Sequence, residues 1–298
     1  MTDILSSTAK APTQSDSQFN QLWFQFRRNK LAVGGLFFLM VIILIAIFAD
    51  KLEPYDPLKL DTSYALGLPK PPTSQHWFGT DELGRDQLSR VLSGSRISLS
   101  VGFVAVGISM LIGIALGSLA GYYGGSLDNL IMRVADIFLS LPTLYLILTV
   151  NVFLKPSIFN VMVVIGIFDW MGIARLVRGE FLRLKQMDFI SAARSLGASD
   201  LRIIVRHLLP NGLAPIIVSA TIGIPNAILL ESSLSFLGLG VPPPFSSWGN
   251  MLYAGREWLN QAWWMWLPPG LFIAATVIAF NFVGDGLRDA FDPLQKGH

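Results

Sequence analysis

About six runs of apolar residues, each long enough to cross a bilayer as a helix, constrain this chain more than any other feature. A hydrocarbon core of about 30 Å needs roughly 20 apolar residues in a helix. Runs of that kind occupy 31–49, 97–121, 137–154, 158–176, 213–230 and 266–283. In lipid the backbone polar groups must be satisfied within the chain, so these runs read as helices. The expected fold is all-α: a polytopic membrane domain over 29–298 with about six transmembrane helices, behind a cytoplasmic, partly disordered tail at 1–28. Composition agrees, because 14% charged residues fall well short of the roughly 25% that coat a soluble domain.

The first 20 residues are rich in Ser, Thr, Gln and Asp and have no apolar core, so disorder is expected there. Arg27, Arg28 and Lys30 directly precede the first apolar run, and Asp50, Lys51 and Glu53 follow it in place of a small-residue cleavage site. That pattern predicts an uncleaved first span. The net charge of +2, with basic residues scattered between spans, gives no basic face for a nucleic acid. Without cysteine the chain has no disulfide framework, thiol chemistry or cysteine metal site.

Orientation follows from Lys and Arg, which are retained on the cytoplasmic side. With the N-terminus inside, the inner segments hold Arg27, Arg28, Lys30 and the cluster Arg175, Arg178, Arg183, Lys185, Arg194, Arg202 and Arg206. The outer segments, 50–96 and 240–265, dilute their basic residues with Asp50, Glu53, Asp56, Asp81, Glu82 and Asp86. Both termini and the loop 178–210 are therefore expected in the cytoplasm. Trp248, Trp258, Trp263, Trp264 and Trp266 crowd the second outer segment. The first reading is an interfacial aromatic belt; the second is a surface touching a protein or substrate. In the second span, Gly113, Gly117 and Gly121 form a small-residue stripe that lets another helix approach closely, from this chain or from a second membrane subunit. Gly79–Asp81 with Arg85 and Asp86 reads first as a self-contained turn and second as a receiving surface for a partner.

Several chemistries are excluded by inspection. The chain lacks a GxxxxGK[ST] phosphate loop, an HExxH zinc motif and a GxSxG nucleophile elbow, and His76, His207 and His298 are far apart. No catalytic or metal residue is expected. Asp169 and Glu231 are the ionisable groups that stand out within the spans. Charge at membrane depth is costly enough to make both candidates for a translocation path, against the plainer readings of a boundary residue and an interhelical pair. Ion-coupled transporters carry richer buried polar sets and inverted repeats, and no convincing repeat is present here.

The stretch from Asp188 to Asn211 is too long and too patterned for a plain connection. Ile190, Ala193 and Leu196 fall at helical spacing, and Gly197 follows where a left-handed cap can end a helix. Ser199 or Asp200 can N-cap a second helix with Leu201, Ile204, Val205 and Leu208 on one face, and Pro210 closes it before the fifth span. The small pair Ala192 and Ala193 leaves a low surface suited to another protein's groove; the competing reading is an amphipathic segment lying on lipid headgroups.

Ala192, Ala193 and Gly197, followed by His207–Pro210, resemble the EAA signature of binding-protein-dependent ABC import permeases, the loop that docks on the ATPase. Ser191 stands at the acidic position and His207 at a position that is isoleucine in the consensus. The segments 78–90, 233–244, 247–252 and 284–293 are similar to the C-type permease of dipeptide, oligopeptide and nickel importers, a likeness running from about Asn29 to Pro293. The resemblance implies a type I ABC importer permease with a cytoplasmic coupling helix at Ser191, Ala192, Ala193, Gly197, Ala198, Ser199, Asp200 and Pro210. It also implies a homologous second permease, two ATPases carrying ATP and Mg, an extracytoplasmic binding protein, and a location in the bacterial inner membrane. The chain itself would bind no cofactor, and its cargo would be di- or oligopeptides, with nickel, glutathione or another small solute as alternatives.

Overall fold

The computed structural model describes residues 18–60 and 67–291, and among them every regular element is a helix, with one isolated bridge between Thr80 and Asp86. Residues 1–17 of the expected tail lie outside the described residues. Helix α1 (Gln18–Arg28) precedes α2 (Lys30–Ile47), the first expected span. Asn29 separates them by capping α2, its side chain accepting from Ala32 N–H at 3.1 Å. A short α3 (Ala49–Leu52) follows.

Helix α4 (Gln87–Tyr123) is 37 residues long, ten more at its start than the apolar run at 97–121. A helix of that length spans about 55 Å, so its first turns stand clear of a hydrocarbon core of about 30 Å. Hydropathy could not show those turns because they carry Ser89, Arg90, Ser95 and Arg96. They are helical because Asp86 caps them, accepting from Ser89 N–H at 2.8 Å and Ser89 Oγ at 2.7 Å, and because their charges find partners. Asp81 accepts from Arg85 Nε at 2.7 Å and pairs with buried Arg90. Asp86 also meets His76 Nδ1 at 2.8 Å. The 79–86 segment is thus a charged turn but not a self-contained one, because Asp81 and Asp86 also pair with Arg90 and His76 outside it.

The expected span 137–154 is not one rod. It is α5 (Gly125–Leu139) and α6 (Thr143–Phe153), bent by 86°. Pro142 has no N–H to give and disfavours helix at Leu141, which accounts for the bend. Helices α7 (Ile158–Ile167) and α8 (Trp170–Leu184) together make a 27-residue span with a break at Phe168 and Asp169. After α9 (Asp188–Ser195), α10 (Asp200–Ile203) and α11 (Leu209–Asn211) come α12 (Leu213–Phe236), α13 (Trp248–Gly255) and α14 (Trp263–Phe291). Among the described residues five spans are long and apolar enough to cross a membrane, or six if the bent pair α5–α6 counts as one.

Helix α4 is the centre of the packing. The glycine stripe settles against α8 of the same chain: a Cβ on Gly117 would sit 2.5 Å from Ala174 O, and one on Gly113 or Gly121 would sit 2.7 Å from the Cβ of Ile173 or Phe181. Helix α2 meets α14 in the same way, with Gly35 against the Ala279 carbonyl. Leu31, Phe37, Leu44 and Leu111 are left exposed on outer faces, where lipid tails are as apolar as they are.

Two of the tryptophans expected in an interfacial belt are structural instead. Trp248 is fully buried, its Nε1–H donating to Val91 O and its backbone N–H to Ser98 Oγ, each at 3.1 Å, so it pins α13 to α4. Trp264 is also buried and donates to Thr80 O at 3.2 Å. An indole prefers an interface only while its N–H lacks a protein partner, and these two have one. Trp263 remains exposed.

Candidate functional site

At one end of the bundle, α9 to α11 form a knob between α8 and α12. Helix α9 ends in a Schellman motif: Gly197 takes φ +77, its N–H donates to Arg194 O at 2.9 Å, and Ala198 N–H donates to Ala193 O at 3.1 Å. A side chain at Gly197 would be strained by that φ, although open space surrounds it.

The second half of the knob departs from the expected pattern. Ser199 is the N-cap by backbone only, and no side chain caps α10. Asp200 instead accepts from Tyr122 Oη at 2.6 Å. Residues Ile204–Leu208 form one wide π turn, with Leu209 N–H donating to Ile204 O. Pro210 offers no N–H and would crowd the carbonyl four residues back, and a wide turn relieves both problems. The chain stays helical through Pro210, and the break before the fifth span falls at Gly212. The wide turn also changes the buried face. Ile203 and Leu208, five apart, are fully buried, while the expected stripe members Leu201 and Val205 are exposed.

Ile190, Ile203 and Leu208 are the three pegs of the knob. They enter one apolar cluster with Tyr122 of α4, Ile173, Val177, Phe181 and Leu184 of α8, and Ile216 of α12. Tyr122 adds polar ties: besides Asp200, its ring carries the guanidinium of Arg194 at 5.6 Å, and its carbonyl accepts from Lys185 Nζ. Behind it, Arg178 makes a bidentate pair with Asp128 of α5 at 2.5 and 2.7 Å. The exposed rim carries two large apolar side chains, Leu196 88% and Leu201 70% exposed, among charged residues such as Arg194 and Arg202. Ser191 and Ala192 are exposed beside them, and Ala193 is half-buried. Charge counting placed Arg178 and Lys185 only in the basic inner cluster, and sequence reasoning missed Tyr122 and Asp128 altogether, since the partners of all four are 50 to 78 residues away.

Next to the knob lies a groove of about 940 Å³ between the α7–α8 break, α12 and the end of α14. Asp169 is in its wall, with Glu180, Arg183, Asn211, Asn226 and Arg288. Glu231 is not. It is 0% exposed, and its Oε1 accepts from Ser235 Oγ at 2.6 Å and Ser247 Oγ at 2.8 Å, tying α12 to the N-terminus of α13. A helix N-terminus favours a carboxylate, so Glu231 is a packing anchor in this conformation. Sequence could not separate the two acids, because their difference lies in which helix is adjacent.

The knob is thus pegged into α4, α8 and α12 beside the groove that holds Asp169. Residues 113–297 match the family described as binding-protein-dependent transport system inner membrane component. This chain belongs to that family. Residues 17–72 match the N-terminal TM domain of oligopeptide transport permease C. The permease is 42% identical to the oligopeptide transport system permease protein OppC of Bacillus subtilis (strain 168), over 96% of this chain and 93% of that one. It is 46% identical to the glutathione transport system permease protein GsiD of Escherichia coli O6:H1 (strain CFT073), over 96% and 94%. In fold it is similar to a chain of the inward-facing MetNI methionine ABC transporter, with TM-score 0.56 and 20% identity over 69% of this chain and 98% of the other. The permease is thus a multi-pass membrane component of an ABC importer, a class that works with ATPase partners and a second permease.

Proposed function

We propose that the permease forms half of a translocation path for di- or oligopeptides, paired with a homologous but different permease and driven by two ATPases that dock on the knob. The observation that carries this reading is the apolar cluster that plugs Ile190, Ile203 and Leu208 into α4, α8 and α12 while the rim of the same knob stays exposed. A partner that moves the rim moves three spans together. ATP and Mg belong to the ATPases, and this chain is non-catalytic. The small side chains Ala192 and Ala193 admit close approach, Gly197 turns the chain, and Ala198, Ser199 and Asp200 hold the second arm. Ser191, at the acidic position of the signature, weakens one contact to the ATPase without changing the docking mode.

Opening of the groove lined by Asp169 is the step that the lever controls. The density of Lys and Arg on the 175–206 segment supports a cytoplasmic knob and cytoplasmic termini, with the 50–96 and 240–265 segments outside a bacterial inner membrane. An extracytoplasmic binding protein would deliver cargo there. Peptides are favoured because relatives at 41–44% identity are oligopeptide and dipeptide permeases; glutathione is the second reading, from the 46% relative.

Reconstitution with both permeases, the ATPases and the binding protein tests this. Uptake should require ATP and every partner, and an ion gradient alone should drive none. Ala193→Glu should lower uptake about tenfold or more, the effect of about 1.4 kcal/mol of lost docking energy, while the protein still inserts. Normal uptake and normal ATPase stimulation by Ala193→Glu would remove the knob from the mechanism.

A further inference from the structure

A second cavity, of about 630 Å³, lies at the end of the bundle opposite the knob, between the 82–90 segment, the α6–α7 turn and the 238–258 segment. Three of its lining residues keep a buried polar atom with no hydrogen-bond partner: Glu82 Oε2, Arg90 Nε and Asn151 Nδ2. Arg90 is 4% exposed; Asp81 takes its Nη1, and its Nε–H donates to nothing. Buried polar groups in folded proteins are nearly always paired. Three orphans around one hollow indicate a missing partner that offers acceptors to two of them and a donor to the third. Lys155, exposed at the same cavity and without an ion pair among the described residues, adds a cation. Much of the remaining wall is Pro242, Pro243, Pro244 and Trp258, rigid apolar surface that reads no particular side chain. The volume is within the roughly 300–1,000 Å³ that encloses a small molecule.

The geometry points to a binding site for the zwitterionic main chain of a short peptide, its carboxylate held by Arg90, Asn151 and Lys155 and its ammonium by Glu82. This rests on the import reading above and adds a holding site within one permease, separate from the groove beside the knob. Burial holds the Glu82 carboxyl above its usual range, and an ammonium ligand would offset that cost. Recognition of both termini, with an apolar wall between them, accepts peptides of differing side chains.

The complete transporter in nanodiscs, without its binding protein, is titrated with trialanine and with N-acetyl-trialanine amide, and binding is read by saturation-transfer NMR. Trialanine should bind saturably, and the blocked peptide should bind about tenfold or more weakly. Asn151→Leu should weaken trialanine by about tenfold without lowering the thermal unfolding midpoint, since it removes a buried donor that has no partner. Absence of saturable binding, equal affinity for the blocked peptide, or wild-type affinity in Asn151→Leu would each overturn the site. A signal seen only once the binding protein is added would come from peptide held by that protein, and the peptide site falls. ATP-dependent uptake by the same transporter reconstituted in proteoliposomes, with its binding protein present, separates the two levels. Intact uptake with no trialanine binding sinks the cavity site alone, whereas loss of all peptide uptake sinks the import reading beneath it.

Discussion

The knob and the opposite end of the bundle are held by different forces. The knob is fastened chiefly by Ile190, Ile203 and Leu208, and leaves Leu196 and Leu201 exposed. The opposite end is fastened by buried polar groups: Asp81 with Arg85 and Arg90, Asp86 with His76 and Ser89, Glu231 with Ser235 and Ser247, and two indoles on main-chain carbonyls. Apolar contacts are non-directional and survive a small rigid displacement. Hydrogen bonds weaken steeply with angle and fix one geometry. That contrast suits the proposed mechanism, in which one end is pushed while the other holds register where loops and helices meet.

The sharpest way to break this contrast is Asp81→Ala. It leaves Arg85 and buried Arg90 without their carboxylate, and should cost about 3–5 kcal/mol, the usual penalty for breaking a buried pair. Thermal unfolding of the purified permease should show it as a large loss, and a near-neutral result would mean that the polar end is not locked by charge. Ile203→Ala should cost less, about 2–4 kcal/mol, but it should also lower coupling of ATP hydrolysis to uptake, because a peg between lever and spans is gone. Equal loss of hydrolysis and uptake would instead mark Ile203 as a stability residue alone.

Tyr122→Phe removes the hydroxyl that donates to Asp200 and should cost about 1 kcal/mol, with the knob's amide protons exchanging faster than those of α4. The smallest effect is pH-dependent. Burial raises the carboxyl of Glu82, so the folded state holds its proton more tightly than the unfolded state does. Its contribution is therefore most favourable at acid pH and is lost as pH rises through the folded value. Glu82→Gln should unfold at a slightly higher temperature than wild type near neutral pH, with the difference shrinking on acidification; a constant offset would place the carboxylate in water.

The sequence made the spans legible because lipid allows few solutions: a 20-residue apolar run must close its hydrogen bonds on itself. The first arm of the knob was also legible, since Gly197 and the helical spacing before it are local signals. The second arm was not, because Pro210 was read as a stop where the chain widened into a π turn that carried Ile203 and Leu208 inward. The glycine stripe was visible as spacing, but its partner α8 was not. Asp169 and Glu231 were indistinguishable in sequence, and one lines a groove while the other is fully buried with one oxygen bonded to two serines.

By itself, the sequence determined the solvent this chain folds in, the number and rough position of its crossings, and the presence of a capped helical arm between two of them. Those features are set by forces acting within about one helix length. Tertiary structure alone decided which acids are buried, which tryptophans are core, where the lever is pegged and which polar atoms are left without partners. Each of those depends on contacts between residues far apart in the chain, and no local pattern records such contacts.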